Sequence, residues 1–385
     1  MSALPSENKR ILWLDGIKGI SAFFIFFHHY CLGIFPATLY GTGAKSFFNG
    51  WDAALPSSPL GFIVNGNFFV HLFILISGYV ITSKIISMDH DKAGVFLFKR
   101  YLKLLFPIGV YAFILLITKV APLIGGENSA KEIIKECYRF ARSLLFGVLF
   151  TGDTYIGTHL WMLNVIFLGG IFVSIIASLC WTCDEKKVFF VAAAVGLFLL
   201  LFPSSAHIHF ASIFFGCALN IFNRSYKIKA SKILFALLFI VGLFFGSYPS
   251  GFTPENIYKH FIIPGAIANT CLLWHCFAAF AIVFSVSQLS GMQSFFSKKL
   301  FLFLGQISLW IYLLQGIVIS VTNGIFIYLQ EKNIGYILSA AIYFVITLSI
   351  LILVSWLCAK FVSPFGNNLV NKLMSKLQKR EPTLP

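Results

Sequence analysis

Ten apolar segments of roughly 16 to 30 residues follow one another along the 385-residue chain, at about 11–35, 62–86, 104–121, 159–181, 188–203, 207–222, 233–248, 261–287, 300–329 and 335–360. A helix crosses the hydrocarbon core of a bilayer with about 20 apolar residues. In lipid every backbone N–H and C=O must be bonded within the protein, which leaves helices or closed barrels. These runs are continuous rather than alternating, so they predict helices. The fold class is therefore all-α, a polytopic membrane protein of about ten transmembrane helices. Hydrophobic residues make up 58% of the chain and charged residues 11%, and a soluble fold with that balance would expose large apolar patches. A soluble enzyme is excluded.

The net charge of +15 reads as orientation, since Lys and Arg gather on the cytoplasmic side of membrane proteins. With the N-terminus inside, 21 of the 29 basic residues fall on the inner side and 8 on the outer, while the acids divide 7 and 7. Both termini are expected to be cytoplasmic, and membrane lipid rather than nucleic acid is the expected partner. Residues 1–362 form one transmembrane domain. Within it, 123–158 is a long external loop with an amphipathic segment, where charge alternates at helical spacing over 130–142 and 143–151 is too short to span. Residues 363–385 form a basic cytoplasmic tail, suited to anionic lipid. The first apolar run is too long for a signal-peptide core. Cys180 and Cys183 form a lone C-x-x-C, and most other cysteines lie in apolar runs as small core residues. No metal is expected.

Ionisable groups inside apolar segments are costly and mark candidate sites. The first segment holds Asp15, Lys18, His28 and His29. Lys18 and His29 are eleven residues apart, about three helical turns, and so project from one face about 16 Å apart along the axis. Asp15 lies one turn before Lys18 and can pair with it. A neutral imidazole at His29 is suited to act as general base on a hydroxyl. His28 points about 100° away, so the two histidines are not expected to share one role. A bundle histidine beside an interfacial Asp–Lys pair accounts for the same residues without chemistry.

Four stretches carry a family resemblance. Leu14-Asp15-Gly16-Ile17-Lys18-Gly19-Ile20, followed by His28-His29, resembles the L-D-G-L-R-G-I-A opening of the acyltransferase family 3 membrane proteins, with Lys18 in place of Arg and His29 at the essential histidine. The stretch Val70-His71-Leu72-Phe73 through Ser77-Gly78-Tyr79 is similar to the family's F-F-x-x-S-G-F segment. Lys99, Arg100 and Lys103 ahead of Pro107 resemble its cytoplasmic basic stretch. Leu304-Gly305 through Ser308, Tyr312-Leu313 and Gln315 resemble L-G-x-x-S-x-x-x-Y-L-x-H, with Gln315 replacing His. The chain departs from the family's W-S-L-x-x-E stretch: His159-Leu160-Trp161 is followed by no acid at that position.

The resemblance implies an O-acyltransferase of the bacterial inner membrane, moving acetyl from cytoplasmic acetyl-CoA to a hydroxyl of an extracytoplasmic glycan or lipid-linked saccharide such as O-antigen or exopolysaccharide. It implies catalytic roles for His29, Lys18 and Asp15, and donor binding by Lys99, Arg100 and Lys103 through the phosphates. His71, Ser77, His159 and Trp161 are the candidates for substrate contact. Topology alone accounts for the basic residues, and packing for Ser77-Gly78. The rival class is a transporter using the buried His and Lys as a relay. A sugar transferase would need an acidic metal site, for which Asp89 and Asp91 are the nearest pair.

Overall fold

The computed structural model describes residues 10–124, 129–202, 204–228, 230–266 and 269–378. Within them the chain is helical and has no strand. Each of the ten apolar segments contains a helix. We label the principal helices α1 (Leu12–Ile34), α2 (Gly66–Ile86), α3 (Ala93–Val120), α4 (Ser129–Arg142), α5 (Trp161–Ser178), α6 (Glu185–Leu200), α7 (Ser205–Ser225), α8 (Lys232–Gly246), α9 (Thr270–Gln288), α10 (Lys299–Glu331), α11 (Tyr336–Leu357) and α12 (Ser363–Gln378). Eight helical stretches are long and apolar enough to cross a membrane. The remaining two apolar segments are the shorter helices α6 and α8, of 16 and 15 residues. Asp184, Ser204 and Ser231 cap α6, α7 and α8 by accepting backbone N–H groups with their side chains.

The outer faces of these helices are apolar and uncovered. Phe113, Phe172, Phe190, Leu197, Val321, Val345 and Leu353 are each more than half exposed. In water such a belt would drive association, whereas against acyl chains it is at home. Inside, helices approach through small residues, as expected where lipid is no less apolar than the partner helix. Helix α1 approaches α10 in this way. A Cβ on Gly19 would lie 2.4 Å from the Gly305 nitrogen, and one on Gly305 would lie 2.3 Å from the Asp15 carbonyl oxygen. Backbone touches backbone there. Gly78 and Gly216 do the same for α2 on α7, each with a carbonyl oxygen 2.0 Å from where its Cβ would be.

Helix α1 packs between α2 and α10, and α1 and α10 run in the same direction. Near the Asp15 end, α1 meets the start of α10; near His29, it meets the stretch of α10 around Gln315. The segment between α1 and α2 returns to α1 at Val64, whose carbonyl meets His28. Asp52 holds that segment by accepting from the Ser46 hydroxyl and from the Phe47 N–H at 2.8 Å. Burial opposes the Asp52 charge, but these hydrogen bonds keep its carboxyl below the ordinary range. Asn65 ties the start of α2 to the end of α8 by donating to the carbonyls of Gly246 and Tyr248 at 3.2 and 2.8 Å.

Two regions differ from regular spans. The 123–158 segment carries α4, which runs directly into a π-helical stretch, Ser143–Thr151. Past residue 362 the chain continues as the helix α12, with the Ser363 hydroxyl receiving the Trp310 indole N–H at 2.8 Å and Gly366 against the Phe106 ring.

Replacing Gly19 by Leu should force α1 off α10, at a cost of about 3 kcal/mol or more, and lower the melting temperature of the detergent-solubilised protein. A Cβ at Gly33 meets nothing within 4 Å, so Gly33→Ala should leave the melting temperature unchanged or raise it. Equal behaviour of the two variants would contradict the packing described.

Candidate active site

At one end of α1 the charges are concentrated. Asp15 accepts a charge-assisted hydrogen bond from Arg10 and pairs with Lys18, whose Nζ lies 3.5 Å from Oδ1. Arg100 enters from α3. Its guanidinium lies beside Gly170 of α5, with Nη2 3.4 Å from the Ile166 carbonyl oxygen, and it is close enough to Lys18 for the two charges to repel. The Arg100 Nε has no hydrogen-bond partner among the described residues. Arg10 and Lys18 thus share the Asp15 carboxylate, while Arg100, close to Lys18, has no ion pair among the described residues, which leaves an excess of positive charge at this end of α1. Such an arrangement is costly unless an anion completes it. Lys99 and Lys103 lie one turn apart on α3, near enough to repel each other, with Lys103 exposed. Of these three basic residues, Arg100 is the one the structure brings to Lys18.

The other end of α1 opens on a cavity of about 160 Å³ whose lining includes His28, His29, Asn67, Thr158, His159, Trp161 and Tyr312. Both histidines of α1 reach it, with ring centroids 5.5 Å apart. They share this cavity although their side chains leave α1 about 100° apart. Helix α1 meets the cavity at a wedge between α2 and α10, and a ring on either side of the wedge reaches it. The His28 Nδ1 donates to the Val64 carbonyl at 2.7 Å. A carbonyl only accepts, so the neutral ring carries its proton on Nδ1 and presents Nε2 as a base. Its ring lies against Gly66.

His29 stands beside Gln315 and His159. The Gln315 amide donates to the Tyr312 carbonyl at 3.2 Å, and its buried Oε1 is unpartnered in the described structure. With its N–H₂ so engaged, that oxygen is the group available to receive an imidazole N–H and to set the tautomer of His29. The ring of His159 sits edge-on to Tyr111 and Tyr312, at centroid distances of 5.6 and 5.5 Å. The Tyr312 hydroxyl donates to the His159 carbonyl, one His159 nitrogen engages the Leu313 carbonyl, and the buried Nε2 has no partner. Three imidazoles therefore border one small cavity.

His71 and Ser77 lie elsewhere. His71 is fully buried, bonded through Nδ1 to the Ser212 hydroxyl at 2.7 Å, and stacked on His209 at 4.8 Å. His209 in turn meets Trp161 at 4.5 Å, so the indole stands between the cavity and this inner pair. The Ser77 hydroxyl donates to the Phe73 carbonyl of its own helix at 2.8 Å. The Asp89 carboxylate pairs with Lys92 at 2.5 Å.

A family model described as an acyltransferase domain matches residues 11–359, nearly the whole chain. The chain belongs to this acyltransferase family. Membership and the helical architecture make it a membrane acyltransferase, which separates it from the transporter reading. No match was found among curated proteins or among solved structures.

In this acyltransferase, Asp15, Lys18 and Arg100 fall near one end of α1, and His29, His159 and Trp161 near the other. The residues that the sequence did not single out are Asn67, Tyr111 and Thr158, which carry no motif pattern of their own. Gln315 was visible as a substitution for the family's histidine, and its place beside His29 suits it to position that imidazole. Gln315→Leu should lower turnover by about 10- to 100-fold with little change in the KM for the acyl donor, and Gln315→His should restore it. Full turnover in the Leu variant, measured with radiolabelled donor, would remove Gln315 from the site.

Proposed function

We propose that the protein is an O-acetyltransferase that takes acetyl from acetyl-CoA at the Lys18 end and delivers it to a glycan hydroxyl at the His29 end. The observation that carries this reading is the pairing of two separated sites along one helix. Lys18 and His29 lie eleven residues apart on α1, about 16 Å along its axis. Arg100 joins the first and His159 the second, from helices packed on either side. Phosphates complete the charge at Lys18 and Arg100, with Lys99 and Lys103 adding a diffuse attraction outside. A long flexible thioester arm is suited to the stretch between the two ends.

At the His29 end the acceptor hydroxyl gives its proton to His29 and attacks the thioester carbonyl. A C–O bond forms, the C–S bond breaks, and the coenzyme A thiolate recovers the proton. Gln315 holds the imidazole in the tautomer this requires. The cavity's His28, Asn67, Thr158, His159 and Tyr312 offer donors and acceptors in the density that a polyhydroxylated acceptor needs, with Trp161 as an apolar wall. These steps call on no metal. The placement favours the Lys18 end as cytoplasmic, with both termini, and the His29 end as extracytoplasmic, in a bacterial inner membrane, acting on O-antigen, exopolysaccharide or a lipid-linked precursor. The basic helix α12 then faces anionic lipid.

His29→Ala should lower acetyl transfer by roughly 10²- to 10⁴-fold, read as labelled acetyl on the glycan from membranes holding equal amounts of folded protein. Unchanged transfer would sink the assignment of the base. Arg100→Gln should raise the KM for acetyl-CoA by about tenfold or more, while Lys103→Gln has a small, salt-sensitive effect. A KM that ignores Arg100 would leave its charge to topology alone.

A further inference from the structure

A second and larger cavity, of about 610 Å³, lies between α4, the π-helical stretch Ser143–Thr151 and the chain that follows. Its lining includes Arg139, Arg142, Phe146, Thr151, Asp153 and Tyr155. Arg139 is already engaged, donating to Glu136 at 3.1 Å, and Tyr155 donates to the same carboxylate. Arg142 has no ion pair within 4.0 Å among the described residues, and neither has Asp153. Asp153 is half-buried and accepts the Tyr155 N–H at 2.9 Å through one oxygen. A cation and an anion thus line one cavity without satisfying each other. Thr151 donates to the Gly147 carbonyl at 3.0 Å, which leaves its oxygen free to accept.

That combination has a chemistry. A guanidinium binds phosphate through charge-assisted, often bidentate hydrogen bonds. A carboxylate and a threonine oxygen accept from hydroxyls. Phe146 of the lining is 63% exposed, and α4, which supplies Arg139 and Arg142, exposes Ile134 and Tyr138 at 69% and 67%, a surface suited to the membrane interface. The larger cavity also adjoins the histidine cavity. Tyr155 lines one and Thr158 the other, and three residues of chain separate their Cα atoms by about 11 Å at most.

We propose that this cavity docks a glycosyl phosphate at the membrane-anchored end of the acceptor. Arg142, supported by Arg139, takes the phosphate, and Asp153 with Thr151 takes hydroxyls of the attached sugar. The glycan then continues past Tyr155 and Gly157 to present a hydroxyl to His29. The inference rests on the reading of the acceptor as a glycan and narrows it to one that carries a phosphate.

The test is equilibrium binding to the full-length protein in detergent, by titration calorimetry, with α-glucose 1-phosphate, glucose and glycerol 3-phosphate as probes. Glucose 1-phosphate should bind at least tenfold more tightly than glucose and several-fold more tightly than glycerol 3-phosphate. Arg142→Gln should weaken it by about tenfold or more, and Asp153→Asn should erase most of the advantage over glycerol 3-phosphate. Equal binding of glycerol 3-phosphate would make the cavity a lipid-headgroup site and overturn the proposal. So would an affinity for glucose 1-phosphate that ignores Arg142→Gln. Should the variants fail to fold, competition on the unaltered protein decides: inorganic phosphate must displace glucose 1-phosphate, and failure to do so overturns the assignment. Acetyl-CoA binding is measured in the same preparation. Its loss with sugar phosphate binding intact refutes the donor reading alone, and the reverse result refutes the docking site alone.

Discussion

The contact of α1 on α10 at Gly19 and Gly305 sets the distances on which the rest of the site depends. Because backbone meets backbone there, α1 has no freedom to rotate, and Lys18 and His29 keep the face they share. The same contact aligns α10 so that Gln315 and Tyr312 arrive beside His29 and His159 three turns further on. In lipid this close approach depends on van der Waals contact rather than on apolar burial from water, so small residues here carry what a large apolar core carries in a soluble enzyme. A site assembled from α1, α2, α3, α5 and α10 would otherwise drift with each helix.

Charge in this protein divides into two kinds. Most basic residues lie outside the apolar segments, where solvation is cheap. Lys18 and Arg100 are different, being brought together inside the bundle with Asp15 paired to Lys18 and no carboxylate paired to Arg100 among the described residues. Holding them there is unfavourable without a further anion, which is why their placement speaks of a ligand while that of Lys99 and Lys103 does not. The π-helical stretch after α4 has a comparable meaning, since such local widening recurs at functional sites. Here it borders the cavity that holds Arg142 and Asp153 apart.

Much of the architecture was legible in the sequence because lipid imposes simple rules. Continuous apolar runs had to be helices, and each of the ten segments contains one. The Lys18–His29 spacing showed a shared face because helical geometry is regular over three turns. Contacts between helices were not legible in this way. Nothing in the order of residues says that His28 bonds the Val64 carbonyl, that Trp161 screens His71 from the cavity, or that Arg100 rather than Lys103 reaches Lys18. These depend on crossing angles and on where glycines permit approach. His71 shows the effect most clearly. Its intramembrane position made it a candidate, yet its own network with Ser212 and His209 lies one layer behind the site.

The central claim is that donor and acceptor meet from opposite ends of one path through the bundle. It is tested most directly by sided transfer in proteoliposomes whose protein orientation is set by protease accessibility of the C-terminal helix. Acetyl-CoA supplied only on the side of α12 should acetylate a glycan confined to the other side, and acetyl-CoA supplied only with the glycan should not. Transfer that requires both substrates on one face would contradict the account.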